Sequence, residues 1–137
     1  MNIDYFAVLP SGPKGALQTH CLTNGPSDAR QDEDWERAVH YGAGIIRVRD
    51  SGVELRIPIE FGFGYVLQYF KHFLEAEQKE RTVRERLQAQ LDWIGRALPV
   101  QLRQAGKQIL LEGETTHHFP RGPFLEALRH TMKRSII

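Results

Sequence analysis

Between Val53 and Ala76 the spacing of the apolar residues changes period, and this constrains the fold more than any other feature of the chain. Val53, Leu55, Ile57, Ile59, Phe61 and Phe63 alternate with Glu54, Arg56, Pro58, Glu60 and Gly62, the two-residue repeat of a strand with one buried face. Directly afterwards Tyr65, Val66, Leu67, Tyr69, Phe70, Phe73, Leu74 and Ala76 cover about half of a helical circumference, with Gln68, Lys71, His72 and Glu75 opposite. A strand that hands over to so apolar a helix requires a sheet and a helical layer in contact. Gly62 and Gly64 stand at the junction, where glycine turns the chain without steric cost. The strand is expected to run to Phe63, with Phe63 and Tyr65 both inside.

The remaining elements follow from weaker signals. Ile3 to Leu9 is rich in strand formers, stops at the turn-prone 10–15 segment, and is followed by a second strand over 16–23. Asp32-Glu33-Asp34 marks the start of a short helix, Trp35 to Tyr41. Ile45 to Arg49 pairs with the Val53 strand across Asp50-Ser51-Gly52, a three-residue loop with glycine in the left-handed position. Pro58 lacks an amide donor and marks that arm as an edge strand. Val83, Leu87, Leu91, Ile94 and Leu98 spell a second long helix, Thr82 to Leu98, with the narrow stripe of a helical pair. Thr82 is its expected cap, with Glu85 as capping-box partner. Pro99 restarts the helix and Gly106 closes it. Lys107 to Glu112 is a short strand, and a last helix begins at Pro123 with Phe124, Leu125, Leu128 and Met132 on one face. The expected class is α+β: a small antiparallel sheet of two hairpins packed against two long helices plus a C-terminal helix, within one domain spanning residues 1–137.

Charge and cysteine content narrow the function classes. The net charge is +1, too small to draw in a nucleic-acid backbone or an anionic membrane by itself. Residues 1–60 carry 6 Lys/Arg against 9 Asp/Glu, whereas residues 61–137 carry 12 against 8. The single cysteine, Cys21, excludes an internal disulfide and a Cys-rich zinc site. No apolar run approaches the roughly 20 residues of a membrane helix, and the first residues do not resemble a signal peptide. A cytoplasmic protein without membrane contact, cofactor or bound metal is expected.

The segment Gly62-Phe63-Gly64-Tyr65-Val66 invites comparison with the aromatic signature of RNA-recognition domains. Phe61 stands where that signature has a basic residue, and Gln68 where it has its last aromatic. Leu67 likewise replaces the third glycine of a dinucleotide-binding loop. The glycines are therefore read as punctuation.

Three function classes remain. The first is a non-enzymatic binding protein, a regulator, inhibitor or immunity-type partner, acting through protein contacts or as a homodimer. Its contact residues are Arg84, Arg86, Leu87, Leu91, Trp93 and Leu98. The alternative is a nucleic-acid-binding accessory protein using the basic residues of the 79–103 region, with Arg81, Arg84 and Arg86 on phosphates and Phe63 and Tyr65 on bases. The third is a small hydrolase or nuclease using His117, His118 or Cys21. His117 and His118 are adjacent, so in an extended segment their rings face opposite ways and do not share a metal, and no other histidine spacing forms a ligand set.

Overall fold

The computed structural model describes residues 1–11, 15–23 and 33–136. The expected turn residues at 12–14 and the polar stretch 24–32, with Asp32, lie outside them. The class is α+β, as the periodicities require. Strands β1 (Asn2–Ser11) and β2 (Ala16–Cys21) form one hairpin, and β3 (Ala43–Asp50) and β4 (Val53–Ile59) the other. β1 and β3 join them into an antiparallel sheet of order β2-β1-β3-β4, which leaves β4 with its Pro58 at an edge. Ser51 and Gly52 both take positive φ, and Asp50 pairs with Val53, so the turn has two residues rather than three.

One face of this sheet carries Ile3, Tyr5, Ala7, Leu9, Ile46, Val48, Ile57 and Ile59 into the core. Helix α2 (Phe63–Glu77) packs there, with ten of its residues buried. The handover differs in detail from the alternation. β4 ends at Ile59, Phe61 is exposed, and Phe63 opens the helix instead of closing the strand. The reason is Gly62, whose left-handed backbone (φ 66) caps α2. Gly62 and Phe63 donate their amides to Tyr41 and Gly42, at the junction of α1 (Glu33–Tyr41) and β3, and so leave the strand ladder. Phe63 is fully buried as expected. Tyr65 is not: it is 40% exposed and rests against His40 and Tyr41.

Gly44 makes the sheet–helix contact possible, because the Phe63 ring occupies the place where a Cβ would stand. Gly44→Ala is therefore expected to cost about 3 kcal/mol, at the upper end for an overpacked core. Denaturant unfolding measures it, and a loss below about 0.5 kcal/mol, the scale of ordinary surface changes, would show that the ring does not sit there.

Past α2 the chain departs from the sequence reading more strongly. Helix α3 (Arg81–Gly95) starts earlier than Thr82, with Glu80 at the cap position and no side-chain cap. Glu85 is held by Arg81 at 3.1 Å, which withdraws it from the expected capping box. The stretch after Pro99 is strand, not helix. β5 (Gln101–Ala105), β6 (Gln108–Glu112) and β7 (Thr116–Pro120) form a second antiparallel sheet of order β5-β6-β7, and Gly106 (φ 62) makes a turn between the first two. β5 and β7 each bury a single large apolar residue, Leu102 and Phe119, so neither shows a period. Their pairing with the apolar β6 decides their state.

Two helices tie the sheets together. From α2, the Tyr69 hydroxyl accepts from the Leu102 amide at 2.9 Å and donates to the Leu102 carbonyl at 3.1 Å. It thereby satisfies backbone groups on the free edge of β5. From α4 (Arg121–Arg134), Phe124 stacks on Phe119 of β7, with ring centroids 5.0 Å apart, while Thr131 donates to the Ile3 carbonyl of β1 at 2.6 Å.

Candidate functional site

α3 is amphipathic, yet among its residues only Leu91 and Gly95 are buried. Gly95 lets it approach Tyr69 and Gln101 closely. Val83, Leu87 and Leu98 are half-buried, Ile94 is 49% exposed and Trp93 is 72% exposed. Between α2 and α3 lies a groove of about 280 Å³. Ala76, Leu87, Leu91 and Ile94 give it apolar walls, and His72, Glu75, Lys79 and Gln90 supply its polar groups. His72 Nδ1 lies 3.5 Å from Glu75 Oε2. Trp93 stands beside the groove with the Arg96 guanidinium 5.7 Å from its ring centroid. Arg86, exposed, is seven residues before Trp93 and so on the same helical face.

α3 ends at Gly95 rather than at Leu98, so five of the expected contact residues share the helix, Leu98 lies three residues past it, and their environments differ. Leu87 and Leu91 line the groove, Trp93 and Arg86 lie in solvent next to it, and Arg84 and Leu98 are half-buried. Ile94, absent from the expected set although on the same stripe, is the wall residue that sequence reasoning missed as a contact.

The base-stacking set is not assembled. Phe63 lies under the sheet against Tyr5, at 6.4 Å between centroids, because Gly62 turns it inward. Tyr65 sits in the first turn of α2, whereas Arg81, Arg84 and Arg86 begin beyond its far end. Within the 79–103 region Arg81 pairs with Glu85, and Arg103 pairs with Glu112 at 2.6 Å.

The hydrolase set is dispersed too. His117 is half-buried in a cleft between the two sheets, beside Arg56, Glu60 and Glu114. His118, on the other face of β7, lies 3.4 Å from the Gln108 Oε1. Cys21 belongs to the other sheet, with its Sγ 3.6 Å from the Thr23 Oγ1. Among the described residues no three His, Cys, Asp or Glu side chains form a metal-binding group. No helix among them is long and apolar enough to cross a membrane.

Two charge clusters escaped sequence reading. Asp4 on β1, 4% exposed, accepts from Arg47 at 3.0 Å, Arg49 at 3.4 Å, Arg134 at 3.4 Å and the Thr23 hydroxyl at 2.8 Å. Burial alone pushes its carboxyl up, but the hydrogen bonds from Arg47 and Thr23 and the charges of Arg134 and Arg47 prevail and hold it below the ordinary aspartate value. Glu77, at the end of α2, accepts from Arg121 of α4 at 2.9 Å and from Gln88 of α3 at 3.1 Å. With its nitrogen turned toward the carboxylate, the Gln104 amide of β5 donates to both Glu77 oxygens at 3.1 Å and accepts from Arg121 Nε at 3.2 Å. The partners are 19 to 130 residues from Asp4 and up to 44 from Glu77, beyond the reach of any local pattern.

Comparison with protein-family models, curated proteins and solved structures found no match for this chain.

Proposed function

We propose that this chain is a non-enzymatic binding protein of regulator, inhibitor or immunity type, and that it takes an amphipathic helix of a protein partner into the α2–α3 groove. One observation carries the reading: the last turn of α3 leaves Ile94 and Trp93 49% and 72% exposed beside an apolar groove. Such a groove suits a helix laid in by its apolar face. Trp and Arg are the residues that most often dominate binding energy, and Trp93 is flanked by Arg86 and Arg96. Lys79 and Glu75 balance within the groove lining, while beside Trp93 Arg86 and Arg96 outnumber Asp92, so the incoming helix carries an acidic residue at that edge.

Ile94→Glu and Trp93→Ala change exposed positions and are expected to move stability by no more than about 0.5 kcal/mol. Each is expected to weaken partner capture by about 30-fold, the effect of losing a hot spot of about 2 kcal/mol. The test is purification from native cells with and without nuclease, the partner located by a photocrosslinker at position 93 and sized by light scattering. Capture that is lost on nuclease treatment, unaffected by Ile94→Glu and abolished by Arg84→Ala with Arg86→Ala would replace this reading with nucleic-acid binding. A crosslink to a second copy of the chain would make the groove a homodimer seam.

A further inference from the structure

Away from that groove, β4 is an edge strand, and among the described residues no strand pairs with its outer side. Asp50 and Val53 close the two-residue turn as a hydrogen-bonded pair, so Leu55 and Ile57 also exchange their backbone bonds with β3. The alternate residues Glu54, Arg56 and Pro58 therefore point their backbone groups away from the sheet. All three leave a carbonyl for another strand, but only Glu54 and Arg56 leave an amide. Pro58 ends the row of donors, which limits what can pair here to a short segment.

The cleft of about 500 Å³ between the two sheets runs along this edge, touching Arg56, Ile57 and Pro58, and its volume is within the roughly 300–1,000 Å³ usual for ligand pockets. Pro58, and Pro99 ahead of β5, are its accessible apolar walls, over a floor of buried Val100 and Leu111. Toward the turn, the apolar side of β4 comes out into solvent: Leu55 is half-buried and Val53 is 69% exposed. A strand laid beside β4 sets every second side chain against that side. The charge of the lining is not balanced. Arg56 is held by Glu54 at 3.1 Å, whereas Glu60 and Glu114, both exposed, have no ionic or hydrogen-bond partner among the described residues. Thr115 and His117 supply the remaining polar groups.

We infer that this edge takes an extended, basic peptide segment of a partner protein as an added antiparallel strand, the mode in which main-chain bonds give affinity and alternate side chains give specificity. The segment lies opposite Val53 to Pro58. Its backbone bonds to Glu54 and Arg56, its apolar residues at every second position cover Val53 and Leu55, and a lysine or arginine at the Pro58 end meets Glu60 and Glu114.

The experiment is an NMR titration of the isotope-labelled chain with a capped lysine-valine-threonine-valine-threonine-valine peptide. In that register its valines fall opposite Ile57, Leu55 and Val53 and its threonines opposite Arg56 and Glu54. Saturable shifts and slowed hydrogen exchange are expected at the amides of Glu54 and Arg56. Methylating the two threonine amides of the peptide is expected to abolish both effects, although every side chain is unchanged. Replacing the peptide lysine by glutamate, or Glu60→Gln with Glu114→Gln in the protein, is expected to weaken binding about fivefold at low salt, the scale of two exposed ion pairs. Both glutamates are exposed and unpaired, so this variant keeps its fold. No saturable shift, binding that survives methylation, or equal affinity for the lysine and glutamate peptides, would overturn the assignment. Protection of the Glu54 and Arg56 amides that grows with protein concentration in the absence of peptide would give the edge to a second copy of the chain instead.

Discussion

Arg121→Ala is expected to destabilise the fold by about 3–5 kcal/mol, the largest effect of any single substitution considered. The Glu77 side chain is 1% exposed and Arg121 is its ionic partner. Removing the guanidinium leaves a buried carboxylate with only the amides of Gln88 and Gln104, and an uncompensated buried charge is what makes breaking such a pair so costly. The cluster also holds the end of α2, the middle of α3, the edge strand β5 and the start of α4 together. Glu77→Gln keeps the shape and discards the charge, so adding it to Arg121→Ala is expected to recover about 1 kcal/mol or more of coupling. Urea unfolding of the two single variants and the double variant measures this. Strict additivity would show that Glu77 and Arg121 do not interact.

Asp4→Asn is expected to cost about 2–3 kcal/mol at neutral pH. The figure lies below that for a fully buried pair because Arg47, Arg49 and Arg134 retain 21%, 49% and 31% exposure, so water relieves part of their lost attraction. The pH dependence follows from the direction of the shift. A carboxyl held below its ordinary value in the native state stabilises the fold above the unfolded pKa of about 3.9. That contribution disappears as pH falls through the lower native value. The wild-type chain is therefore expected to lose stability steeply below about pH 4, and Asp4→Asn to show a shallower acid limb there. Thermal melts across that range decide it, and parallel acid limbs for both proteins would show that Asp4 is not the group responsible.

The same two clusters explain where sequence reading stopped. β4 and α2 were legible because each carries its own period of apolar residues; β1 and β3 from their run of strand formers, α4 from Phe124, Leu125, Leu128 and Met132 on one face, and β2, largely exposed, from the turn-prone segment before it. β5 and β7 were not, since one buried side chain in five defines no repeat. Pro99 and Gly106 suggested a helix and its end, when they precede a strand and form a turn. In α3 the spacing identified the helix but not the side of it left bare, because burial depends on where α2 lies. The candidate groove was half visible: Leu87, Leu91 and Trp93 were named from the stripe, whereas Ala76, Lys79 and Ile94 joined it only when α2 and α3 packed side by side.

By itself the sequence determined the α+β class, the first sheet and the burial of Phe63, because periodicity and the two glycines act between residues close along the chain. Tertiary structure alone decided the second sheet, the exposure of Tyr65 and the partners of Asp4 and Glu77. Each depends on groups brought together from distant segments, and neither strand pairing nor the desolvation of a polar atom is encoded in the spacing of neighbouring residues.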